Sequence, residues 1–312
     1  MLLGIDITSR DVAVILAKPD GGAELALRAA HPREGGAPAI WLAAMETARE
    51  TMRRAKIQPA QIAHTALAFD NPVDQEGIVG KGIRTEGWEG FNLKRALQEH
   101  LGVADAVAEN RVICEALGEW RFGALRPAPE SPEGANGDWL YVHIGSTISG
   151  AATVNGKLVR GAARAAVELG AICIERDGAL CASGRRGCLD GYCGGEAFMT
   201  RAASYGLTLR LAHEIWEMSG TNFAAQSLCE DYVQRLAQGL GIAVSLLNPA
   251  RIVLGGGLAN GLGQKLLVPL RARIQEFCLP AHFQGLEVVG AQLGEDAAAL
   301  GAVALAMEKT TR

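Results

Sequence analysis

Leu2-Leu3-Gly4-Ile5-Asp6, Asp11-Val12-Ala13-Val14-Ile15-Leu16-Ala17 and Ala23-Glu24-Leu25-Ala26-Leu27-Arg28 are three short runs, set apart by Thr8-Ser9-Arg10 and by Pro19-Asp20-Gly21-Gly22. Apolar or alternating runs bounded by turn residues read as strand, turn, strand, turn, strand. The layout returns as Trp139-Leu140-Tyr141-Val142-His143-Ile144, Gly150-Ala151-Ala152-Thr153-Val154 and Lys157-Leu158-Val159-Arg160, with Asn155-Gly156 between the last two. Asn-Gly marks a tight hairpin, because both residues tolerate the positive φ that such a turn needs. A three-strand opening repeated after about half the chain predicts a duplicated α/β domain, each copy continuing into helices and further strands.

Between the openings, residues 39–55 place Ile40, Leu42, Met45, Ala48 and Met52 near one face of a helix. His64–Phe69 reads as a buried strand, 91–101 and 113–123 as helices, and 125–138, with its prolines, as an exposed loop at the domain seam. In the second copy 196–216 and 222–247 read as helices, Arg251–Leu254 and Leu286–Val289 as strands, and 295–308 as a closing helix. The expected domains are 1–124 and 125–312, with the closing helix a candidate to pack back on the first.

The 312 residues carry 34 acidic and 30 basic side chains, interspersed, for a net charge of -4, and 49% of them are hydrophobic. That describes a soluble globular protein with no basic stripe to neutralise a nucleic-acid backbone. No run approaches the roughly 18 apolar residues of a membrane span, and Asp6 interrupts any leader, so the expected compartment is the cytoplasm. Seven cysteines, four of them between 173 and 193, read as thiols or metal ligands and not as a disulfide framework.

Two segments carry chemistry. Gly255-Gly256-Gly257 after an apolar strand suits either a nucleotide approaching the backbone or a tight strand-to-helix turn. The stretch Glu168 to Asp190, containing Cys173, Cys181, Ser183, Gly187 and Cys188, is more distinctive. It resembles the cysteine-rich signature of the ROK family of bacterial sugar kinases and sugar-responsive repressors. Asn71-Pro72-Val73-Asp74 with Gly77, Trp88 to Leu93, Glu109-Asn110, Ala116 to Glu119, Gly156 to Gly161, Asn248-Pro249 and Ala297 to Ala302 fall in the family's order. The resemblance implies a two-domain, actin-like (ribonuclease H-like) sugar kinase fold with a cleft between the domains, and homodimerisation.

Where the family has Glu-Asn-Asp, whose Asp takes a proton from the attacking hydroxyl, this chain has Glu109-Asn110-Arg111. A guanidinium cannot accept a proton. The family's two phosphate loops, Gly-Gly-Thr after Asp and Gly-Thr-Gly-Ile-Gly-Gly, become Thr8-Ser9-Arg10 and Gly145-Ser146-Thr147-Ile148-Ser149-Gly150. Side chains are expected to crowd the first, and the second loses two glycines and their permitted conformations, so ATP with magnesium is expected to be poorly held, Gly255–Gly257 notwithstanding. Of the family's zinc ligands Cys181 and Cys188 remain, with Ala171 and Ser183 at two other positions, so zinc is not expected; Cys173 and Cys193 are the near substitutes.

At the sugar end the resemblance carries Asn110 and Glu168 over as ligands of ring hydroxyls, Asp190 in place of a family Glu, and Asn71; Glu109, Asp70 and Asp74 are further candidates. Arg111 is expected to pair with an anionic group on the ligand, or with Glu109 or Glu119. The function that follows is recognition of a hexose-type sugar or sugar phosphate with ATP-dependent phosphotransfer lost. One alternative is an ATP-dependent hexose kinase of glucose or N-acetylhexosamine type with a non-consensus base. Another is a glycosidase using Glu109 and Glu168, whose carboxyl groups would have to lie about 5 to 9.5 Å apart. Direct repression is not expected, because the first strand begins at residue 2 and leaves no room for a DNA reader.

Overall fold

The computed structural model describes residues 1–8, 10–32, 34–81, 86–126 and 137–310. Residues 127–136 of the loop read over 125–138 lie outside the described residues, as does Ser9. Contacts divide the chain into two compact units: Met1–Arg126 with Gly161–Ala165 and Glu295–Arg312, and Pro127–Arg160 with Ala166–Gly294.

In the first unit the opening runs become β1 (Leu2–Ile7), β2 (Asp11–Ala17) and β3 (Ala23–Ala30); after helix α1 (Gly36–Arg54) come β4 (His64–Phe69), α2 (Leu93–Leu101), β5 (Ala106–Asn110) and α3 (Arg111–Phe122). The sheet order is β3-β2-β1-β4-β5, with β1 antiparallel to β2 and parallel to β4, and β4 parallel to β5. All six residues of β1 are buried, as a strand covered on both faces requires. Leu3, Ile5 and Ile7 join the core shared with α1. The stripe α1 buries is Trp41, Ala44, Met45, Ala48 and Met52; Leu42, expected on that face, is 60% exposed, because the larger Trp41 sets the helix rotation. Trp88 and Phe91 pack edge-on against Trp41 as core residues.

The other face of β1 meets the closing helix (Ala297–Thr310), and here glycines allow backbones to touch. A Cβ on Gly4 would lie 2.5 Å from the carbonyl oxygen of Ala299, one on Gly118 2.3 Å from that of Ala297, and one on Gly301 1.6 Å from that of Cys114. The closing helix is thereby fitted against both β1 and α3.

The second unit contains β6 (Trp139–Ile144), β7 (Ile148–Val154), β8 (Lys157–Leu158), the short helices α4 (Asp190–Cys193), α5 (Gly195–Ser204) and α6 (Glu214–Met218), the long α7 (Phe223–Leu247), β9 (Arg251–Gly255), α8 (Gly257–Leu262), α9 (Gln264–Ile274) and β10 (Glu287–Gly290). Its sheet runs β10-β9-β6-β7-β8. Asn155 (φ 52°) and Gly156 (φ 69°) form the tight turn that their sequence signals. The helix read over 196–216 is broken into α5 and α6, because Gly206 at φ 77° ends the first with the Leu207 amide bonded back to Ala202 O. Among the described residues no helix is long and apolar enough to cross a membrane.

Candidate active site

Strand register brings three loops of the first unit together. Ile7 pairs with Phe69 and Phe69 with Asn110, so the residues that follow, Thr8, Asp70 and Arg111, are neighbours at the carboxyl edge of β1, β4 and β5. Arg111 opens α3 and turns inward: Nε donates to Asp6 Oδ1 at 3.0 Å, Nη2 to Asp6 Oδ2 at 3.3 Å and Nη1 to Glu115 Oε1 at 2.5 Å. Asp6 is fully buried and Glu115 is 3% exposed. One guanidinium thus serves two buried carboxylates. Burial pushes the Asp6 carboxyl up to about 6 against the opposing pull of Arg111. Burial also works against the charge on Arg111, but Glu115 and Asp6 outweigh it and hold the group above its ordinary value. The fork is therefore bound within the protein, neither to Glu109 nor to Glu119 as the sequence suggested; Glu119 instead accepts from the Ala124 amide at 2.7 Å.

Asn110 caps α3 through Oδ1, which accepts from the Val112 amide at 2.9 Å. Glu109 is 2% exposed. Its Oε1 accepts from the Asn110 amide at 3.0 Å and its Oε2 from Arg164 Nη2 at 2.5 Å, while Arg164 Nε donates to Val73 O at 2.9 Å. Both carboxylate oxygens of Glu109 thus accept hydrogen bonds within the first unit. Arg164, at φ 53°, was missed in the sequence; nothing local in Gly161-Ala162-Ala163-Arg164 points to its partner 55 residues earlier. Asn71 is buried directly after Asp70. Asp74 Oδ1 accepts from the amides of Glu76 and Ile78, so this carboxylate shapes its own turn.

Thr8 Oγ1 folds back on its turn, accepting from the amides of Arg10 and Asp11 and donating to Asp11 Oδ1 at 2.7 Å. In the loop from Gly145 to Gly150 no residue has positive φ, so threonine at 147 and serine at 149 cost no backbone strain; the expected penalty for the lost glycines is absent. Asp190 Oδ1 accepts from the Ile148 amide at 2.8 Å and so holds this loop. Exposed Glu168 accepts from Ser149 Oγ at 3.3 Å. It follows Val167 at φ 64°, a left-handed conformation strained for a β-branched residue.

The three glycines from the end of β9 into α8 differ in what they permit. A Cβ on Gly255 would sit 2.0 Å from Tyr141 Oη, and one on Gly256 (φ 88°) 2.6 Å from Ile144 O, whereas Gly257 has no atom within 4 Å of that point. Gly255 and Gly256 are required by packing and turn geometry, and Gly257 offers an open backbone. Beside it lies a cavity of about 340 Å³ lined by Leu254, Ala259, Asn260, Gly263, Gln264, Leu267 and Ala291 among others.

In the cysteine-rich segment Cys173 and Cys188 pair across a β-bridge, and Cys181 Sγ lies 2.9 Å from Ser183 Oγ. Cys193 is buried and hydrogen-bonded to Tyr232 O, away from any such cluster. Among the described residues no group of three or more His, Cys, Asp or Glu is placed to hold a metal ion. This donor set does not fit a closed tetrahedral zinc site. The segment is tied instead to α7: Tyr192 Oη donates to Glu175 at 2.6 Å, and Arg235 lies 3.9 Å over the Tyr192 ring while pairing with Glu175 and Asp231.

Two α/β units with sheets of this order define an actin-like fold. The chain belongs to the ROK family, whose model matches residues 2–309. It is 25% identical over 263 residues to a glucokinase from Thermotoga maritima, covering 79% of this chain and 80% of that one. It is 30% identical over 250 residues to a kanosamine kinase from Amycolatopsis mediterranei, covering 77% and 75%. The fold is shared with a ROK family glucokinase from Streptomyces griseus in complex with glucose and AMPPNP, at a TM-score of 0.79 and 24% identity over 98% of this chain and 99% of that one. These kinases overturn the reading that phosphotransfer has been lost and that the chain is not a competent kinase. They equally give no support to a glycosidase, and with Glu109 tied to Arg164 that reading is withdrawn.

Proposed function

We propose that this protein is an ATP-dependent kinase acting on a hexose of the glucose or kanosamine type. The observation that supports it best is the loop from Gly145 to Gly150, which keeps an unstrained course, anchored by Asp190, at the positions where its sequence departs from the family. Gly257 and the cavity that follows it in α8 and α9 would take the nucleotide in the second unit: an open backbone for phosphate oxygens, and mixed polar and apolar walls, with Asn260 and Gln264 among them, for a base. In the first unit Asn110, with its oxygen committed to α3, presents its amide nitrogen to a sugar hydroxyl, and Asn71 lies on the neighbouring loop. In the second, exposed Glu168 is the hydroxyl acceptor, while Asp190 serves the loop. Asp6, both of whose oxygens sit on Arg111, does not fit as a metal ligand. Within this reading the protein works in the cytoplasm as a homodimer.

The test is a coupled assay of ADP release with glucose, kanosamine, mannose and N-acetylhexosamines. Sugar-dependent release with at least one of them is expected. ADP release that no sugar raises above the ATP-only rate overturns the reading.

A further inference from the structure

We propose that Arg164 is a positioning residue of the sugar site, one guanidinium that fixes the loop carrying Asn71 against the strand end carrying Asn110; this rests on the kinase reading above.

The two asparagines leave neighbouring strands, but the ladder places only one of them. Pairing of β4 with β5 runs from Thr65 opposite Ala106 to Phe69 opposite Asn110, so register fixes Asn110 and stops two residues short of Asn71. Beyond that pair the spacing of the two segments is set by side chains, and Arg164 touches both. Its Nε donates to Val73 O at 2.9 Å, two residues past Asn71, and its Nη2 donates to Glu109 Oε2 at 2.5 Å, one residue before Asn110. The other oxygen of Glu109 accepts from the Asn110 amide at 3.0 Å, and Asn110 Oδ1 accepts from the Val112 amide at 2.9 Å. Hydrogen bonds thus run from the Val73 carbonyl through the guanidinium and the Glu109 carboxylate to the backbone of Asn110. With Oδ1 held as well, the direction of the Asn110 side-chain nitrogen is set.

The surroundings stiffen this chain of bonds. Asn71, Val73 and Glu109 are buried, and most of the Arg164 side chain is too, so water competes little for the charge-assisted bond. A planar fork serves two acceptors at once, which a lysine ammonium on a flexible stem does less well. The backbone agrees: Arg164 stands at φ 53°, in the left-handed region where glycine is the ordinary choice, a conformational cost that its side-chain contacts offset. Removing the guanidinium lets the loop of Asn71 drift from Asn110, and a misplacement of about 1 Å in a substrate-holding group can cost about 10²-fold in rate. The nucleotide, assigned to the second unit, does not depend on this tie.

The experiment compares wild type, Arg164→Gly and Arg164→Lys in sugar-dependent ADP release, varying in turn ATP and whichever tested sugar the wild type turns over fastest, with unfolding midpoints measured alongside. Glycine accepts the left-handed backbone, so Arg164→Gly removes the side chain and keeps the turn. The expected result is a fall of about 10- to 100-fold in kcat/KM for the sugar in Arg164→Gly, KM for ATP within about twofold of wild type, and partial recovery in Arg164→Lys. Sugar kinetics unchanged in Arg164→Gly overturn the proposal and leave the kinase reading standing. Equal losses for sugar and ATP with a lowered unfolding midpoint assign Arg164 to the fold at large and overturn it too. Full activity in Arg164→Lys assigns the effect to a charge beside Glu109 and overturns the tie between the two segments. If Arg164→Gly does not fold, Arg164→Lys decides alone: a loss confined to the sugar supports the proposal, and wild-type kinetics overturn it. A wild type that turns over no sugar removes the kinase reading and this proposal together.

Discussion

Arg111 holds two buried acids, and the consequences are local and measurable. Arg111→Ala leaves Asp6 and Glu115 buried without their cation, and breaking a buried pair from one side costs about 3–5 kcal/mol. Thermal or urea unfolding of the variant is expected to show that loss; a change below about 1 kcal/mol would mean the pair is unimportant to the fold. The Asp6 carboxyl, raised from 3.8 to about 6 in the folded protein, binds a proton more readily there than in the unfolded chain. Its contribution is therefore fully present below pH 3.8 and is lost as pH rises through about 6. Relative to wild type, Asp6→Asn should gain up to about 3 kcal/mol between pH 4 and pH 7, at 1.36 kcal/mol per pKa unit. A flat difference across that range contradicts the shift. Sequence alone shows that a base is missing at 111 but points to Glu109 or Glu119 as partners, not to Glu115, one helical turn on. Asp6 is 105 residues away, and only the alignment of β1, β4 and β5 brings it there.

Among elements, the closing helix and the cysteine-rich segment are held by different means. The first depends on glycines that let backbones meet, so Gly301→Ala drives a methyl into the carbonyl of Cys114 and must separate the helix from α3. The expected cost exceeds the ~1–3 kcal/mol of ordinary overpacking, read as a lowered unfolding midpoint. An unchanged midpoint would deny the close approach. The second is fastened to α7 by Tyr192, Glu175, Arg235 and Asp231. Purified protein is expected to hold well under one zinc per chain by elemental analysis, with a melting temperature indifferent to chelator. Stoichiometric zinc, or a fall of several degrees on chelation, contradicts this. Most strands and helices were legible from runs and turn residues, since each is a local pattern, but β5, α8 and α9 were not read. Two details were not: Leu42 faces outward because Trp41 claims the core, and Gly206 splits a run whose apolar spacing continues through it.

At the scale of the molecule, the duplicated three-strand openings made both units readable before any coordinate, because each repeats the same local grammar. Function was less legible. Lost glycines and a lost Asp argued against phosphotransfer, yet the second loop needs no positive φ, and the relatives of the chain are sugar kinases. Residue identity was visible there and backbone conformation was not. Phosphorus NMR of the protein with ATP and glucose or kanosamine tests the account most directly. It predicts that a sugar phosphate monoester resonance grows in step with ADP as the γ-phosphate signal declines. Signals that stay those of ATP, or that decay only to ADP and inorganic phosphate, contradict it.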